Sequence, residues 1–505
     1  MNLKFLDATA LLEKFRSGEV SPAEVLDAQV AQHDSVNGDR ETGINAFTEV
    51  LFEEARSQAQ AAADIYAKAR KTGDDTALRH APLLGLTVAT KEKHGLAGHT
   101  LEQGLLAHAG RVAKADHTVV ARIREAGGIV HARATSPEFS CATVTHSPMW
   151  GITRNPWNLT TSPGGSSGGS GAALAAGMTT LATGSDIAGS TRIPAAFTGN
   201  VGYKTPFGRV PGMPPLSADW YRGDGPMART VADTALLSRI MSGCSSIDHG
   251  SWGPGWKDEA LTPFEKGLLG ANYRNQGPEE ALSGLTIGIS RNLGNYPVAP
   301  SVAAAFETFV QALTQAGAVV LEIELSWTTE WMTETTFSHF GHILAPGMEA
   351  EMAGSDAPTA AYTDRFIRDA KEHAAKNSLV ASLGFDARVQ AELAVAMANV
   401  DVLLTPTNAV THLDAAGDYL DGIEADGKHL GHYWEAHMTS PFNVANRCPV
   451  LSVPIGMSDV GVPVGMQIVG HPFEEDIVFR VGHAAEKVVN ALGVMPVWGS
   501  HMQVG

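Results

Sequence analysis

Short apolar runs alternate with helical stretches along most of the chain. Runs of four to eight mostly apolar residues are typical of buried strands, and amphipathic or alanine-rich stretches are typical of helices. Buried strands that alternate with helices predict an α/β fold in which helices cover both faces of a sheet. The predicted strands lie at 83–91, 129–132, 179–183, 285–289, 319–323, 401–406, 449–454 and 464–469, and the predicted helices between them include 115–126, 171–176, 302–316 and 476–492.

The first 75 residues are predicted to be helical. The stretch Ser21-Pro22-Ala23-Glu24 has a capping serine, a proline at the first helical position and a glutamate three residues after the serine. This combination is the signature of a helix start. Phe47–Arg70 is rich in alanine and charge, and this composition predicts a second, exposed helix.

Composition excludes several classes of protein. The formal net charge of −18 argues against a nucleic-acid surface, which requires a basic stripe. Three widely spaced cysteines indicate no disulfide framework. Asp7 and Glu13 interrupt what would have to be the apolar core of a secretory leader, and no run of 18 apolar residues is long enough to span a membrane. We therefore expect a cytoplasmic protein that binds neither nucleic acid nor membrane.

The stretch Asn155–Pro194 contains two clusters rich in glycine and serine, at 164–171 and 184–190. Glycine lets backbone N–H groups approach a ligand closely, and a serine hydroxyl becomes a nucleophile when a base lies nearby. Lys91 ends an apolar strand upstream, where burial would lower its pKa and leave the amine neutral. These residue types predict a hydrolytic active site built from two loops.

The residues GGSSGGSGAALAAG and GSDIAGSTRIPAAF, with Lys91 upstream, resemble the amidase signature family. Asn155–Asn158, Gly225–Asp233 and Pro449–Pro454 extend the resemblance, so that it covers about residues 80–490. It implies a single large α/β domain with a mixed central β-sheet between α-helices. Residues 1–75 would form an N-terminal helical segment and 76–505 the α/β domain, with 252–440 as the variable region that shapes the substrate pocket.

The resemblance also implies a Ser–Ser–Lys triad that needs no cofactor. Ser190 would be the nucleophile, Ser166 the bridging serine preceded by a cis peptide bond, and Lys91 the base. The backbone N–H groups of Ile187, Ala188, Gly189 and Ser190 would bind the oxyanion. Relatives commonly have a second glycine where this chain has Ala188, so we expect Ala188 to keep a negative φ.

The family pattern suggests pocket residues and a substrate class. Ser140, Cys141 and Gly165 lie where relatives line the acyl pocket, and Trp327 and Trp331 fall in the variable region. The loop with Ala188 resembles that of enzymes acting on nylon-type cyclic amides. We therefore expect a bulky or hydrophobic, aryl or cyclic amide as the small-molecule substrate, and a possible homodimer through the N-terminal helices.

Other interpretations of the same residues remain open. Gly164–Gly168 matches the G-x-S-x-G elbow of α/β-hydrolases, which would make Ser166 the nucleophile of an esterase with a distant histidine as base. Some relatives are amidotransferase subunits that release ammonia from glutamine for a partner enzyme. Asp186 and Arg192 are expected to form a structural ion pair. No metal site is expected from the histidine groups His339/His342 and His429/His432/His437, because neither group has HExxH spacing or additional ligands.

Overall fold

A computed structural model describes residues 2–252, 276–496, 498 and 499. Its centre is an eleven-stranded sheet with the strand order β1-β3-β2-β6-β8-β7-β14-β15-β11-β9-β10. The strands of this sheet are β1 (Phe47–Val50), β2 (Thr87–Lys91), β3 (Ile129–Ala134), β6 (Leu181–Asp186), β7 (Val201–Lys204), β8 (Gly223–Ala228), β9 (Thr286–Ile289), β10 (Val319–Glu322), β11 (Val402–Pro406), β14 (Val450–Met457) and β15 (Pro463–Gly470). Two short hairpins lie outside it, β4 (His146–Ser147) with β5 (Gly151–Ile152), and β12 (Ile423–Ala425) with β13 (Lys428–Leu430).

The sheet is mixed, as predicted. Strand β2 runs parallel to both β3 and β6, and β9 runs parallel to β10 and β11. The centre of the sheet is antiparallel, from β6 through β8, β7, β14 and β15 to β11. Most strands are buried along their whole length, which explains why apolar residues follow one another in many of them rather than alternating with polar ones.

Helices surround the sheet and supply a large part of the hydrophobic core. They are α1 (Ala8–Ser17), α2 (Pro22–Val36), α3 (Phe52–Thr72), α4 (Thr76–His80), α5 (Thr118–Glu125), α6 (Gly168–Ala175), α7 (Arg192–Thr198), α8 (Val231–Met241), α9 (Pro278–Leu282), α10 (Pro300–Gln315), α11 (Thr329–Ile343), α12 (Ala345–Met352), α13 (Ala361–Lys376), α14 (Leu379–Ala396), α15 (Pro441–Val444) and α16 (Glu475–Leu492). Helices α10 and α16 pack with β14 and β15 around Phe306, Phe309 and Phe479, all of them buried.

The N-terminal segment is more closely integrated into the sheet than the sequence predicted. The helix predicted over Phe47–Arg70 is in fact a strand, Phe47–Val50, followed by a helix from Phe52. The strand pairs with β3 and forms an edge of the sheet, because tertiary pairing outweighs the weak helical preference of so short a stretch. The predicted helix start at Ser21 is confirmed, since Ser21 and Glu24 form a reciprocal capping box.

Three neighbouring strands bring the glycine–serine loops and Lys91 to one edge of the sheet. Strands β2 and β6 are parallel, so their last residues, Lys91 and Asp186, lie at the same edge. Strand β8 is antiparallel to β6 and begins there, with Gly223 opposite Asp186. Of the predicted variable region, 252–440, residues 253–275 lie outside the described residues.

No helix in the described part of the chain combines the length and the apolar character that crossing a membrane would require.

Candidate active site

Lys91 is fully buried at the end of β2, and three serine hydroxyls surround its amine. Its Nζ lies 2.6 Å from Ser166 Oγ, 3.0 Å from Ser167 Oγ and 3.0 Å from Ser185 Oγ. The backbone N–H of Lys91 donates to the hydroxyl of Thr183, which fixes the end of the strand. The amine therefore has hydroxyl partners but no carboxylate within ion-pair distance among the described residues.

This environment favours the uncharged amine. Burial lowers the pKa of Lys91 well below 10.5, and the nearby cations Lys93 and Arg222 lower it further. Asp224 and Asp186 oppose the shift but do not reverse it. Hydroxyls can donate to a neutral amine as well as accept from it, so the three serines satisfy the amine without a charge.

The first loop packs tightly behind Ser166. The Gly165–Ser166 peptide is cis, as the resemblance implied. A Cβ at Gly165 would lie 2.5 Å from the carbonyl oxygen of Val144, so a side chain at this position is excluded. Gly165 therefore shapes the backbone of the loop and is not part of the cavity wall, which corrects its expected role in substrate binding.

The second loop is held by a buried ion pair between Asp186 and Arg192, as predicted. Arg192 donates twice to the Asp186 carboxylate, with both distances 2.9 Å. Its remaining N–H groups donate to Thr439 O, Gln467 Oε1 and Asn443 Oδ1. Burial would raise the pKa of Asp186, but the charge and hydrogen bonds of Arg192 outweigh burial and lower it to about 2. All five donors of the guanidinium are thus satisfied inside the protein.

Replacing Arg192 with leucine should destabilise the protein strongly. The substitution leaves the buried Asp186 carboxylate without its counter-ion, and breaking such a pair costs about 3–5 kcal/mol. Denaturant unfolding followed by fluorescence measures this loss. Arg291→Leu removes an arginine whose pairs with Glu307 and Glu322 are exposed, and it should cost no more than about 1 kcal/mol. Equal losses for the two variants would contradict the structural role of Arg192.

The second loop offers three free backbone donors beside Ser190. Among the described residues, the N–H groups of Ile187, Ala188 and Ser190 have no hydrogen-bond acceptor. The N–H of Gly189 instead donates to Asp186 Oδ1 at 2.7 Å, which corrects its expected role as an oxyanion donor. Gly189 has a φ of 128°, a conformation that requires glycine, whereas Ala188 avoids positive φ, as expected.

The two loops meet at the wall of one cavity of about 410 Å³. The N–H of Ser167 donates to the carbonyl of Ser190 at 3.2 Å, and the hydroxyl-bearing residues Ser166 and Ser190 both line the cavity. No hydrogen bond within the described residues joins the two hydroxyls directly. Ser190 is 7% exposed, whereas Ser166 is fully buried, so Ser190 is the more accessible of the two serines.

Both apolar and ionisable side chains line the cavity. Ser140 and Cys141 line it as expected, and its apolar lining residues are Leu101, Phe139, Leu344, Met348, Phe366 and Trp434. Its ionisable lining residues include Lys93, Arg111, His117, Arg222, Asp224 and Glu351. Such a combination suits an amphiphilic small molecule.

Two of the expected pocket residues lie elsewhere. Trp327 is fully buried and packs edge-on against Phe442 in the core. Trp331 stacks with the guanidinium of Arg388, which lies 4.3 Å from its ring centroid. Neither tryptophan lines the cavity. Cys141 does line it, but burial raises its thiol pKa to about 12, which argues against a nucleophilic role.

Several residues at this site escaped the sequence analysis. Ser185 contacts Lys91 because it precedes the last residue of β6, and Lys93 lies two residues beyond Lys91. Arg222 reaches the cavity because it directly precedes β8, which pairs with β6. Lys93 could have been found by its proximity to Lys91 in the sequence, whereas Arg222 depends on a strand pairing that the sequence does not show.

Neither histidine group forms a ligand set among the described residues. His339 Nε2 donates to Asp219 Oδ1 at 2.8 Å, His437 contacts Asn408 and Thr143, and His429 pairs with Glu424 at the surface. The described residues do contain one cluster with metal-ligand chemistry, His94, His117 and Asp224.

The geometry of that cluster fits a hydrogen-bond network better than a metal site. His117 Nδ1 accepts the backbone N–H of Val119, so the ring proton belongs on Nε2, which faces Asp224 at 3.6 Å. His94 Nε2 lies 3.0 Å from Asp224 as well. A metal at Asp224 would require both Nε2 atoms to be unprotonated. Lys93 also lies close enough to lower the pKa of both histidines, and its charge would oppose a dication.

Comparisons with known proteins agree with this geometry. A profile of the amidase family matches residues 37–479. A glutamyl-tRNA(Gln) amidotransferase subunit of Roseiflexus sp. (strain RS-1) is 30% identical over 519 residues, covering 96% of each chain. The structure of a bacterial aryl acylamidase of the amidase signature family superposes with a TM-score of 0.81 at 24% identity, covering 98% of this chain and 99% of the other. A substrate complex of 6-aminohexanoate cyclic dimer hydrolase superposes with a TM-score of 0.78 at 26% identity, covering 99% and 100%.

The family match spans most of the chain, and the full-length similarity extends to both sequence and fold. The single α/β domain with its large mixed sheet is the fold of the solved amidase signature enzymes. The chain therefore belongs to the amidase signature family and is a hydrolase of carbon–nitrogen amide bonds.

Proposed function

We propose that this chain hydrolyses a small-molecule amide through an acyl-enzyme on Ser190, with Ser166 and Lys91 as its proton relay. The observation that carries the proposal is the buried Lys91 amine, which lies 2.6 Å from the hydroxyl of Ser166, a residue that lines the same cavity as Ser190. A neutral buried amine is a competent base, and the three residues lie at one edge of the sheet.

The relay begins with the neutral amine of Lys91. Ser166 donates its proton to Nζ and accepts the proton of Ser190, whose Oγ attacks the amide carbonyl carbon. The hydroxyls of Ser166 and Ser190 would close this relay when substrate binds, since catalytic hydrogen bonds commonly tighten only in the complex. The proton then returns through Ser166 to the departing amine, and the C–N bond breaks to leave an ester on Ser190. Water hydrolyses that ester by the same route.

Backbone donors would stabilise the tetrahedral intermediate. The N–H groups of Ile187, Ala188 and Ser190 have no acceptor among the described residues, so they are available to the oxyanion. Each such donor is worth about 2.7–4 kcal/mol of barrier in a water-excluded site. The Asp186–Arg192 ion pair holds the loop that presents them, and Thr439 fixes it further by donating to Ala188 O at 2.6 Å.

The cavity supports an amide with a sizeable apolar part. Phe139, Phe366 and Trp434 offer aromatic surface, which suits an aryl or cyclic group. The structural neighbour at 26% identity acts on a cyclic dimer of 6-aminohexanoate, a cyclic amide. The nucleophile-elbow alternative has less support, because Ser166 is fully buried and its base partner is Lys91 rather than a histidine.

A second candidate function is favoured by one observation. The Roseiflexus relative, similar over 96% of both chains, is named as a subunit of a glutamyl-tRNA(Gln) amidotransferase. An amidotransferase role would use the same triad to release ammonia from glutamine for a partner enzyme. It would require glutaminase activity and a co-purifying partner, whereas the amidase role requires neither.

A fluorophosphonate probe tests the nucleophile directly. The purified chain should gain one probe adduct, and peptide mapping should place it on Ser190, because only this serine combines an activating relay with exposure to the cavity. Ser166→Ala should slow labelling while leaving Ser190 as the site. Modification of Ser166 in the wild-type chain would contradict the proposal and support the esterase alternative.

A further inference from the structure

Two cationic side chains that line the cavity have no protein acceptor for their hydrogen bonds. Lys93 Nζ and the guanidinium of Arg222 make no hydrogen bond or ion pair within the part of the chain that the structure describes. Both side chains are half-buried, and Nε of Arg222 is completely buried without a partner. Leaving that buried donor unpaired is costly, so the two side chains are suited to an acceptor that arrives with a ligand.

The other charged residues at the cavity have partners. Arg111 pairs with Glu351 at 3.2 Å, and Asp224 is held by His94 and His117. Arg192, which lies just behind the cavity wall, is fully paired with protein groups. Lys93 and Arg222 are therefore exceptions within the site, and both line the cavity together with Ser190.

The backbone fixes both cations beside the reacting serine. Lys93 follows β2 in a turn that is closed by the hydrogen bond from His94 N to Lys91 O. Arg222 immediately precedes β8, and its carbonyl accepts a hydrogen bond from Asn446. Its neighbour Gly223 is paired with Asp186 at the start of the nucleophile loop. Side chains whose backbone is held by such hydrogen bonds next to the strands of the sheet can select a ligand geometry.

We propose that Lys93 and Arg222 bind a carboxylate on the amide substrate, so that the enzyme selects an amide that carries an anionic group near its scissile bond. This inference rests on the proposed function, because it assumes that Ser190 attacks an amide in the same cavity. The guanidinium fork matches a carboxylate in two parallel hydrogen bonds, and the ammonium adds a charge-assisted donor.

The electrostatics favour one negative charge. Asp219 and Asp224 lie near the two cations and offset part of their charge, so a monoanion fits better than a dianion. Burial and the neighbouring Arg222 lower the pKa of Lys93 to about 7, and a bound carboxylate would restore its charged form. The apolar lining of the cavity remains free for the rest of the substrate.

Matched pairs of anilides test the proposal. In the first pair, succinic acid monoanilide carries a carboxylate on the acyl side and butyranilide is its neutral counterpart. In the second pair, 4-acetamidophenylacetate carries the carboxylate on the amine side and 4-methylacetanilide is its neutral counterpart. Release of the arylamine gives kcat/KM for wild type, Lys93→Gln, Arg222→Gln and the control Lys68→Gln, an exposed lysine on α3. In at least one pair, the wild type should prefer the acid by about 10- to 100-fold.

Both cavity variants should reduce that preference towards one, whereas Lys68→Gln should retain it and Lys93→Arg should retain part of it. Equal rates within both pairs, or a preference that survives Lys93→Gln and Arg222→Gln, would overturn the proposal. Calorimetric binding of the same four compounds to Ser190→Ala separates binding from turnover and does not need an active variant. Equal hydrolysis of acids and neutral amides, with Ser190 still labelled by a fluorophosphonate, would refute the carboxylate site alone. Failure of labelling would refute the proposed function itself.

Discussion

Ser190→Ala should lower kcat for amide hydrolysis by about 10⁴- to 10⁶-fold, the loss seen when a serine nucleophile is removed from a unit of cooperating residues. The substitution deletes one oxygen from a side chain that is 7% exposed, so the fold should remain intact. Backbone donors at Ile187 and Ala188 would survive and leave a residual rate above that in water. Single-turnover kinetics with an anilide substrate would measure the loss.

The matched control for this experiment lies in the first glycine–serine loop. The hydroxyl of Ser170 donates to Thr183 O at 2.8 Å, and the fully buried side chain makes no hydrogen bond to Lys91, Ser166 or Ser190. Ser170→Ala should cost stability of about 1 kcal/mol, the net value of one hydrogen bond, and little turnover. Turnover by Ser190→Ala close to that of Ser170→Ala would contradict the nucleophile assignment.

The sequence predicted the fold and the central residues of the site because both depend on local patterns. Apolar runs mark strands that are buried on both faces, and they predicted the strand that ends at Lys91 and most of the strand before the second loop, which was placed at 179–183 and in fact extends over Leu181–Asp186. Two loops with glycines at fixed positions then limit where Ser166 and Ser190 can lie. The glycines are required by close packing, as the 2.5 Å approach at Gly165 and the φ of 128° at Gly189 demonstrate.

The incorrect predictions concern residues whose place is decided by tertiary contacts. Trp327 was expected at the pocket, but it packs against Phe442 in the core. An aromatic residue in an irregular region gives no periodic signal that separates core from cavity wall. Arg222 was missed for a related reason, because only the antiparallel pairing of β6 and β8 brings it beside Ser190. Gly189 was assigned as an oxyanion donor because the sequence could not show that Asp186 accepts its N–H.

Hydrogen-bond contacts also give the two arginines of the site, Arg192 and Arg222, different roles. Arg192 has an acceptor for each of its N–H groups and therefore stabilises the loop, whereas Arg222 has none among the described residues and is available to a ligand. Residue type alone does not distinguish these two arginines. Their hydrogen-bond partners do, and each assignment leads to a different measurement, protein stability for Arg192 and substrate selectivity for Arg222.

Lys91→Met should lower kcat/KM by about 10²- to 10⁴-fold, the usual contribution of a positioned general base. Methionine keeps the length and apolar stem of the side chain but cannot accept a proton from Ser166. In the wild type, kcat/KM should also fall as the pH is lowered through the pKa of Lys91, because the protonated amine is no longer a base. The variant should lose that acidic limb. A wild-type rate that stays flat down to about pH 5 would argue against a lysine base.

Stability measurements give an independent test of the same neutral amine. A lysine whose folded pKa lies well below 10.5 is protonated in the unfolded chain but not in the folded one, so the unfolded state binds one more proton between those two pKa values. Stability then rises with pH in that window by about 1.4 kcal/mol per pH unit. The free energy of unfolding of wild type should therefore increase relative to that of Lys91→Met as the pH rises towards 10.5. Denaturant unfolding of both proteins at several pH values measures this difference. Because both proteins contain the other buried groups, such as Lys204, the contributions of those groups cancel in the difference. A difference that does not change with pH would show that Lys91 is charged in the folded protein, and the proton relay through Ser166 would then lack its base.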